Sequence, residues 1–149
     1  MAHVLVAVEV AVPVRTAYDQ WTQFAEFPLF MPGVESVTQR APDLTRWVVD
    51  LQGVRRTFDA RITQQSPDER VAWATVGGEV SHSGSVTFHP LGDAACRLVV
   101  QLDFHPSGPA ERTAALLGVV ARRIRVDLEA FRTFIEKRGA ATGGWRGAI

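Results

Sequence analysis

The chain is short of several things on which other protein classes depend. Cys96 is its only cysteine, which excludes an intrachain disulfide and a metal site built from several thiolates. Charge of one sign is missing too, since 16 basic and 16 acidic residues cancel over 149 positions. No basic stripe is interleaved with aromatics, so nucleic acid is not expected as a partner. No apolar run approaches the roughly 20 residues that cross a bilayer, and no transmembrane segment is expected. The apolar opening up to Val14 has no basic start, contains Glu9 and alternates strictly. It reads as a strand and not as a signal peptide, which makes a cytoplasmic location the expectation. Glycine-rich phosphate loops, a His-x-x-x-His pair and a nucleophile elbow are all absent. His3, His82, His89 and His105 are scattered along expected strands without ligand-like spacing. No metal, no cofactor and no catalytic residue is therefore expected.

What the chain has in quantity is alternation. Val4, Val6, Val8, Val10 and Val12 recur at every second residue, which predicts a first strand with one buried face, ended by Pro13. Ala17, Tyr18, Trp21 and Phe24 then fall at helical spacing, and a second short helix or turn over residues 25–30 stops at Pro32-Gly33. Strands follow near 34–41, 44–52, 54–65, 70–77, 83–91 and 95–105. Pro42-Asp43, Gly53, Pro67-Asp68, Gly77-Gly78 and Leu91-Gly92-Asp93 are read as the turns between them. A long helix closes the pattern, with Ser107 or Gly108 as its expected N-cap. Its Leu117, Val120, Ile124, Leu128, Phe131, Phe134 and Ile135 share one arc of roughly 120°. Such a helix must lay its stripe on the sheet. The class is α+β, a single domain over residues 1–138, and the Gly- and Ala-rich residues 139–149 are expected to fray. A curved sheet around a helix leaves an apolar hollow that suits a small molecule.

Polar groups intrude on the apolar faces at a few places. Arg56 shares a strand face with Val54, Phe58, Ala60 and Ile62, and His82 shares one with Gly84, Val86 and Phe88. Either side chain can point at a ligand. The plainer readings are a guanidinium that reaches the rim and a solvated imidazole. Trp47 and Trp73 mark apolar faces, and Cys96 reads as a small core hydrophobe. Asp127, at the edge of the helix stripe, is expected to pair with Arg123 one turn earlier. Gly118 inside the helix costs about 1 kcal/mol relative to Ala, which suggests a close backbone approach there.

The segment Phe27-Pro28-Leu29-Phe30-Met31-Pro32-Gly33-Val34-Glu35-Ser36-Val37 resembles the F-x-x-F-M-x-x-V-x-x-V motif of START-like (SRPBCC) proteins of the polyketide cyclase/dehydrase family. Trp47, then Phe58-Asp59-Ala60-Arg61-Ile62, then Pro67-Asp68-Glu69-Arg70-Val71-Ala72-Trp73 follow in the same order. Gly84-x-Val86-x-Phe88 and Asp127-Leu128-Glu129-x-Phe131 come last, and the opening Val8 to Pro13 with Tyr18 and Trp21 is similar as well. The resemblance implies a helix-grip (START/Bet v 1-like) fold: a curved seven-stranded antiparallel sheet around a long C-terminal helix, with two short helices. It also implies two kinds of activity. Aromatic polyketide aromatase/cyclases carry a Ser-x-Arg pair on the fourth strand, where Ala60 and Ile62 stand here, and a Tyr near the position of Val34. Those departures argue against aldol cyclisation. The related coenzyme Q-binding START proteins, which hold a quinone or lipid unchanged, fit an apolar pocket better.

The reading is therefore binding of a hydrophobic small molecule (lipid, quinone or polyketide-like) between sheet and helix. The expected lining is Phe27, Phe30, Met31, Trp47, Arg56, Phe58, Trp73, His82, Phe88, Val100, Leu102, Val120 and Ile124. One alternative is a cyclase or dehydratase that uses Arg56 and His82. The other is an interaction module with a vestigial pocket, and a homodimer is compatible with either.

Overall fold

In a computed structural model, described over residues 2–51, 53–78, 81–104 and 110–149, the alternating valines form β1 (Ala2–Val10). Val4, Val6, Val8 and Val10 are at most 6% exposed, while Leu5 between them is 61% exposed. The period of two is the pleat itself. Pro13 precedes α1 (Val14–Trp21), which buries Ala17, Tyr18, Gln20 and Trp21, and a 3₁₀ turn (Phe24–Leu29) buries Phe24 and Phe27. The meander follows as β2 (Val34–Ala41), β3 (Leu44–Leu51), β4 (Val54–Ser66), β5 (Arg70–Gly78), β6 (His82–Pro90) and β7 (Cys96–Phe104). It ends in α2 (Ala110–Arg138). The expected N-cap at Ser107 or Gly108 and the residue His105 lie outside the described residues.

One seven-stranded antiparallel sheet results, in the order β1-β7-β6-β5-β4-β3-β2. The first two strands thus occupy opposite edges. β4 carries register shifts against β5 between Asp59 and Ala60 and between Ile62 and Gln64. Irregularities of this kind bend a strand and increase its twist, which helps the sheet curl. Into the concave face lies α2, packed chiefly on β1. Leu128, Phe131 and Ile135 of its C-terminal half are at most 2% exposed, whereas Leu117, Ala121 and Ile124 nearer its start are only partly buried. Cys96 is fully buried, and burial pushes its thiol up to about 11.

Three expectations need correction. Gly77-Gly78 is not a turn but the end of β5, paired with Asp59 and Phe58. Gly78 has φ +114°, and a Cβ there would lie 2.5 Å from the Phe58 Cα, so glycine is required by both torsion and contact. Gly118 makes no close approach: it is exposed, with no atom within 4 Å of where a Cβ would stand. Residues 139–149, expected to fray, are tied down instead. Thr142 N–H donates to Gln20 Oε1 at 2.8 Å, and Trp145 N–H donates to Thr22 Oγ1 at 3.0 Å. Arg146 bridges Asp19 at 2.6 Å and Asp68 at 2.7 Å, with its guanidinium 5.6 Å from the centre of the Tyr18 ring. Ile149 exchanges backbone hydrogen bonds of 3.1 Å with Gln65 in both directions. A Gly- and Ala-rich composition says nothing about partners, and here α1 and β4 supply them.

Candidate functional site

A cavity of about 180 Å³ lies between the concave sheet and the middle of α2, from Val120 to Leu128. Trp47, Phe58, Trp73, His82, Val100 and Leu102 wall it on the sheet side. Phe27 and Met31 close the end nearest β2, and Val120 and Ile124 form the roof. These ten expected residues are brought together. The other three are not. Phe30 packs 5.5 Å from Phe131 and 4.7 Å from Phe134 beneath the far half of α2, and Phe88 packs 5.2 Å from Tyr18. Arg56 is exposed. It pairs with Val49 of β3, which itself lines the cavity, yet Arg56 is not among the lining residues.

Both wall tryptophans have their only polar atom engaged. Trp47 Nε1–H donates to Thr45 Oγ1 at 2.8 Å, and Thr45 Oγ1 donates onward to the Ala60 carbonyl at 3.2 Å. Trp73 Nε1–H donates to His82 Nε2 at 3.2 Å. An indole N–H can only donate, so Nε2 must hold a lone pair and the imidazole proton sits on Nδ1. Thr75 fixes His82 further, accepting its backbone N–H at 3.0 Å and donating to its carbonyl at 3.1 Å. The imidazole meets Phe58 edge-on at 5.0 Å and lies 5.6 Å from Phe104. His82 is therefore buried and held by the wall, not solvated. Ring faces and methyl groups are what the wall mostly presents, a surface suited to apolar rings.

Arg123 and Asp127 also reach this cavity, and the sequence reading did not place them there. Their expected pairing is present, with Arg123 Nη2 3.4 Å from Asp127 Oδ1. The unexpected element is Gly33, whose N–H donates to the same oxygen at 3.0 Å. A Cβ at Gly33 would lie 2.5 Å from Arg123 Cδ and 2.8 Å from Asp127 Oδ2, so a side chain there would displace the ends of both residues. Burial raises the Asp127 carboxyl above its ordinary value, opposed by the Gly33 N–H and the Arg123 charge. The stripe-edge position of Asp127 was the one available signal. Nothing in the sequence showed that Pro32-Gly33 would meet it. Thr45, Phe104, Ala60, Ile62 and Val34, outside the expected lining, also face the cavity. Among the described residues, no group of three His, Cys, Asp or Glu side chains is placed to hold a metal ion, and no helix is long and apolar enough to cross a membrane.

A seven-stranded antiparallel sheet gripping a long C-terminal helix, with short helices beside it and an apolar hollow within, defines the START-like class. The sequence model of the family "polyketide cyclase / dehydrase and lipid transport" matches residues 10–132, and the chain belongs to that family. It is 54% identical over 149 residues, all of this chain and 99% of the other, to an "uncharacterized 17.2 kDa protein in melC2-rnhH intergenic region" of Streptomyces lincolnensis. Among solved structures, a START superfamily protein from Mycobacterium smegmatis superposes with a TM-score of 0.79 at 20% identity, covering 89% of this chain and 98% of that one. The Zhui aromatase/cyclase from Streptomyces sp. R1128 gives a TM-score of 0.80 at 22% identity, covering 97% of this chain and 99% of that one. At these identities the likeness to the solved structures is one of fold.

Proposed function

We propose that this chain binds a small hydrophobic molecule in the cavity between the sheet and α2. The observation that carries the reading is the cavity itself: about 180 Å³, walled by aromatic and aliphatic side chains whose indole donors are already satisfied. A hollow of about 150 Å³ lined by apolar side chains is enough for benzene. The size thus favours a flat molecule of one or two rings over a long acyl chain. Family membership agrees, and Ala60, Ile62 and Val34 supply apolar wall where cyclisation would call for polar groups. A filled interior would have favoured a pure interaction module, and the cavity removes that support. Native mass spectrometry of the purified protein should reveal a co-purified molecule of this size. One- and two-ring hydrophobes at micromolar concentration should raise the melting temperature by mass action, since a ligand at 100 times its Kd adds about 2.7 kcal/mol. If hydrophobes of several sizes produce no shift up to their solubility limits, the reading fails.

A second reading, acid–base chemistry of the cyclase or dehydratase kind, is favoured by one arrangement. His82 and Asp127 reach the same cavity, and burial raises the Asp127 carboxyl above its ordinary value. It replaces the earlier pairing of His82 with Arg56. The two readings separate on one measurement, whether the released ligand has the mass and structure of the one supplied.

A further inference from the structure

Thr45 and His82 spend the polar atoms described above on the wall itself, holding Trp47 and Trp73 in place. The Arg123–Asp127 pair differs. Arg123 Nε is buried and has no hydrogen-bond partner among the described residues. Asp127 Oδ1 accepts the Gly33 N–H at 3.0 Å and lies 3.4 Å from Arg123 Nη2, and both residues line the cavity. The point where a Gly33 Cβ would stand is 2.6 Å from Arg123 Nε and 2.8 Å from Asp127 Oδ2. Two atoms that share a neighbour at such distances are close enough for one oxygen, making bonds of about 2.7–3.0 Å, to reach both.

We propose that the Arg123–Asp127 pair anchors the hydroxyl group of a small aromatic alcohol, a phenol of one or two rings whose apolar body fills the cavity. The proposal rests on the binding reading above and names its ligand class. The chemistry follows from donors and acceptors. A guanidinium only donates and a carboxylate only accepts, so the complementary group must do both through a single atom, as a hydroxyl does. A carbonyl would satisfy Arg123 alone, and an ammonium Asp127 alone. A carboxylate ligand would meet the Asp127 charge at close range. The ring is specified by Trp47, Phe58 and Trp73, which offer flat apolar surface at the cavity's other side. Gly33 holds the pair in register: its N–H fixes one carboxylate oxygen, and its lack of a side chain leaves room for both residues.

Four matched probes test this by calorimetry on the intact chain: naphthalene, 1-naphthol, 1-methoxynaphthalene and 1-naphthoate. The methyl ether keeps the acceptor and loses the donor. 1-Naphthol should bind at least about tenfold more tightly than 1-methoxynaphthalene or 1-naphthoate, the scale of hydrogen bonds to charged groups. That gap should close in Asp127→Asn and in Arg123→Met. Should Arg123→Met fail to fold, Arg123→Lys keeps the charge and most of the stem while losing the Nε donor, and should narrow the gap in the same way. Naphthalene binding with no preference for 1-naphthol would overturn the anchor and leave the cavity reading standing. A preference that survives both substitutions would overturn it too, as would 1-naphthoate binding more tightly than 1-naphthol. If none of the four binds, the cavity reading falls together with the anchor.

Discussion

The two halves of α2 roof two different interiors built from the same kinds of residue. Under the C-terminal half, Trp21 meets Phe131 edge-on at 5.4 Å, Phe30 lies 5.5 Å from the same ring, and Phe131 and Ile135 have no measurable exposure. Under Val120, Arg123 and Ile124, Trp47 and Phe58 lie parallel at 6.2 Å, Trp73 leans on His82, and a hollow remains between sheet and helix. Both interiors are rich in aromatics, so hydrophobicity does not distinguish them. What differs is how α1 and the 3₁₀ turn meet each interior. At the packed end Tyr18 and Trp21 fill it, Tyr18 edge-on to Phe88 and Trp21 edge-on to Phe131. At the open end Trp21, Phe24 and Phe27 only border the hollow, beside the sheet and α2.

The largest expected effect sharpens this contrast. Phe131→Ala should cost about 3–5 kcal/mol, because a filled site cannot collapse around the loss. Ile124→Ala, on the wall of an existing hollow, should cost less than half as much in chemical denaturation. Equal costs would break the comparison. A smaller effect of opposite sign is expected at Ala60, which faces the hollow from β4. Ala60→Val adds volume where there is room and suits a strand, so it should stabilise by about 0.5–2 kcal/mol while weakening ligand binding. Loss of stability there would mean that the open end is already full. The smallest effect concerns pH. The Asp127 carboxyl is raised in the folded state, so between its ordinary value of 3.8 and the raised value the folded chain binds more protons than the unfolded one. Its contribution to stability therefore falls as pH rises through that window and is recovered as pH falls. Asp127→Asn should flatten that part of the melting temperature's pH profile. An unchanged profile would place the carboxylate in solvent.

Strand and helix positions were legible because period two and period 3.6 are local properties, and β1 and α2 carry them almost without interruption. Membership of the cavity was harder to read, because alternation tells which face a side chain takes but not how far along the sheet the cavity extends. Phe88 and Arg56 show the two ways this fails. Phe88 is inward but under α1, and Arg56 shares the period-two face of Phe58 yet is exposed. Arg123 and Asp127 looked like an ordinary surface pair at helical spacing, as they would on any exposed helix. Their role depends on Gly33, which lies 94 residues from Asp127 in the chain. The docked tail was invisible for the same reason, since its partners Asp19, Gln20 and Gln65 belong to elements far upstream.

The placement of β1 beside β7 also governs how this molecule comes into being. Residues 2–10 find their hydrogen-bonding partners in residues 96–104, so the first strand of this domain is among the last to be paired. At ribosomal rates of about 5–20 residues per second, the valine-rich segment waits roughly 5–20 s for its neighbour to be synthesised. During that wait an apolar edge is unpaired, with the long loop closure still ahead of it. The folding domain is thus most exposed to misassociation at β1, and β7 is the element whose emergence ends that hazard.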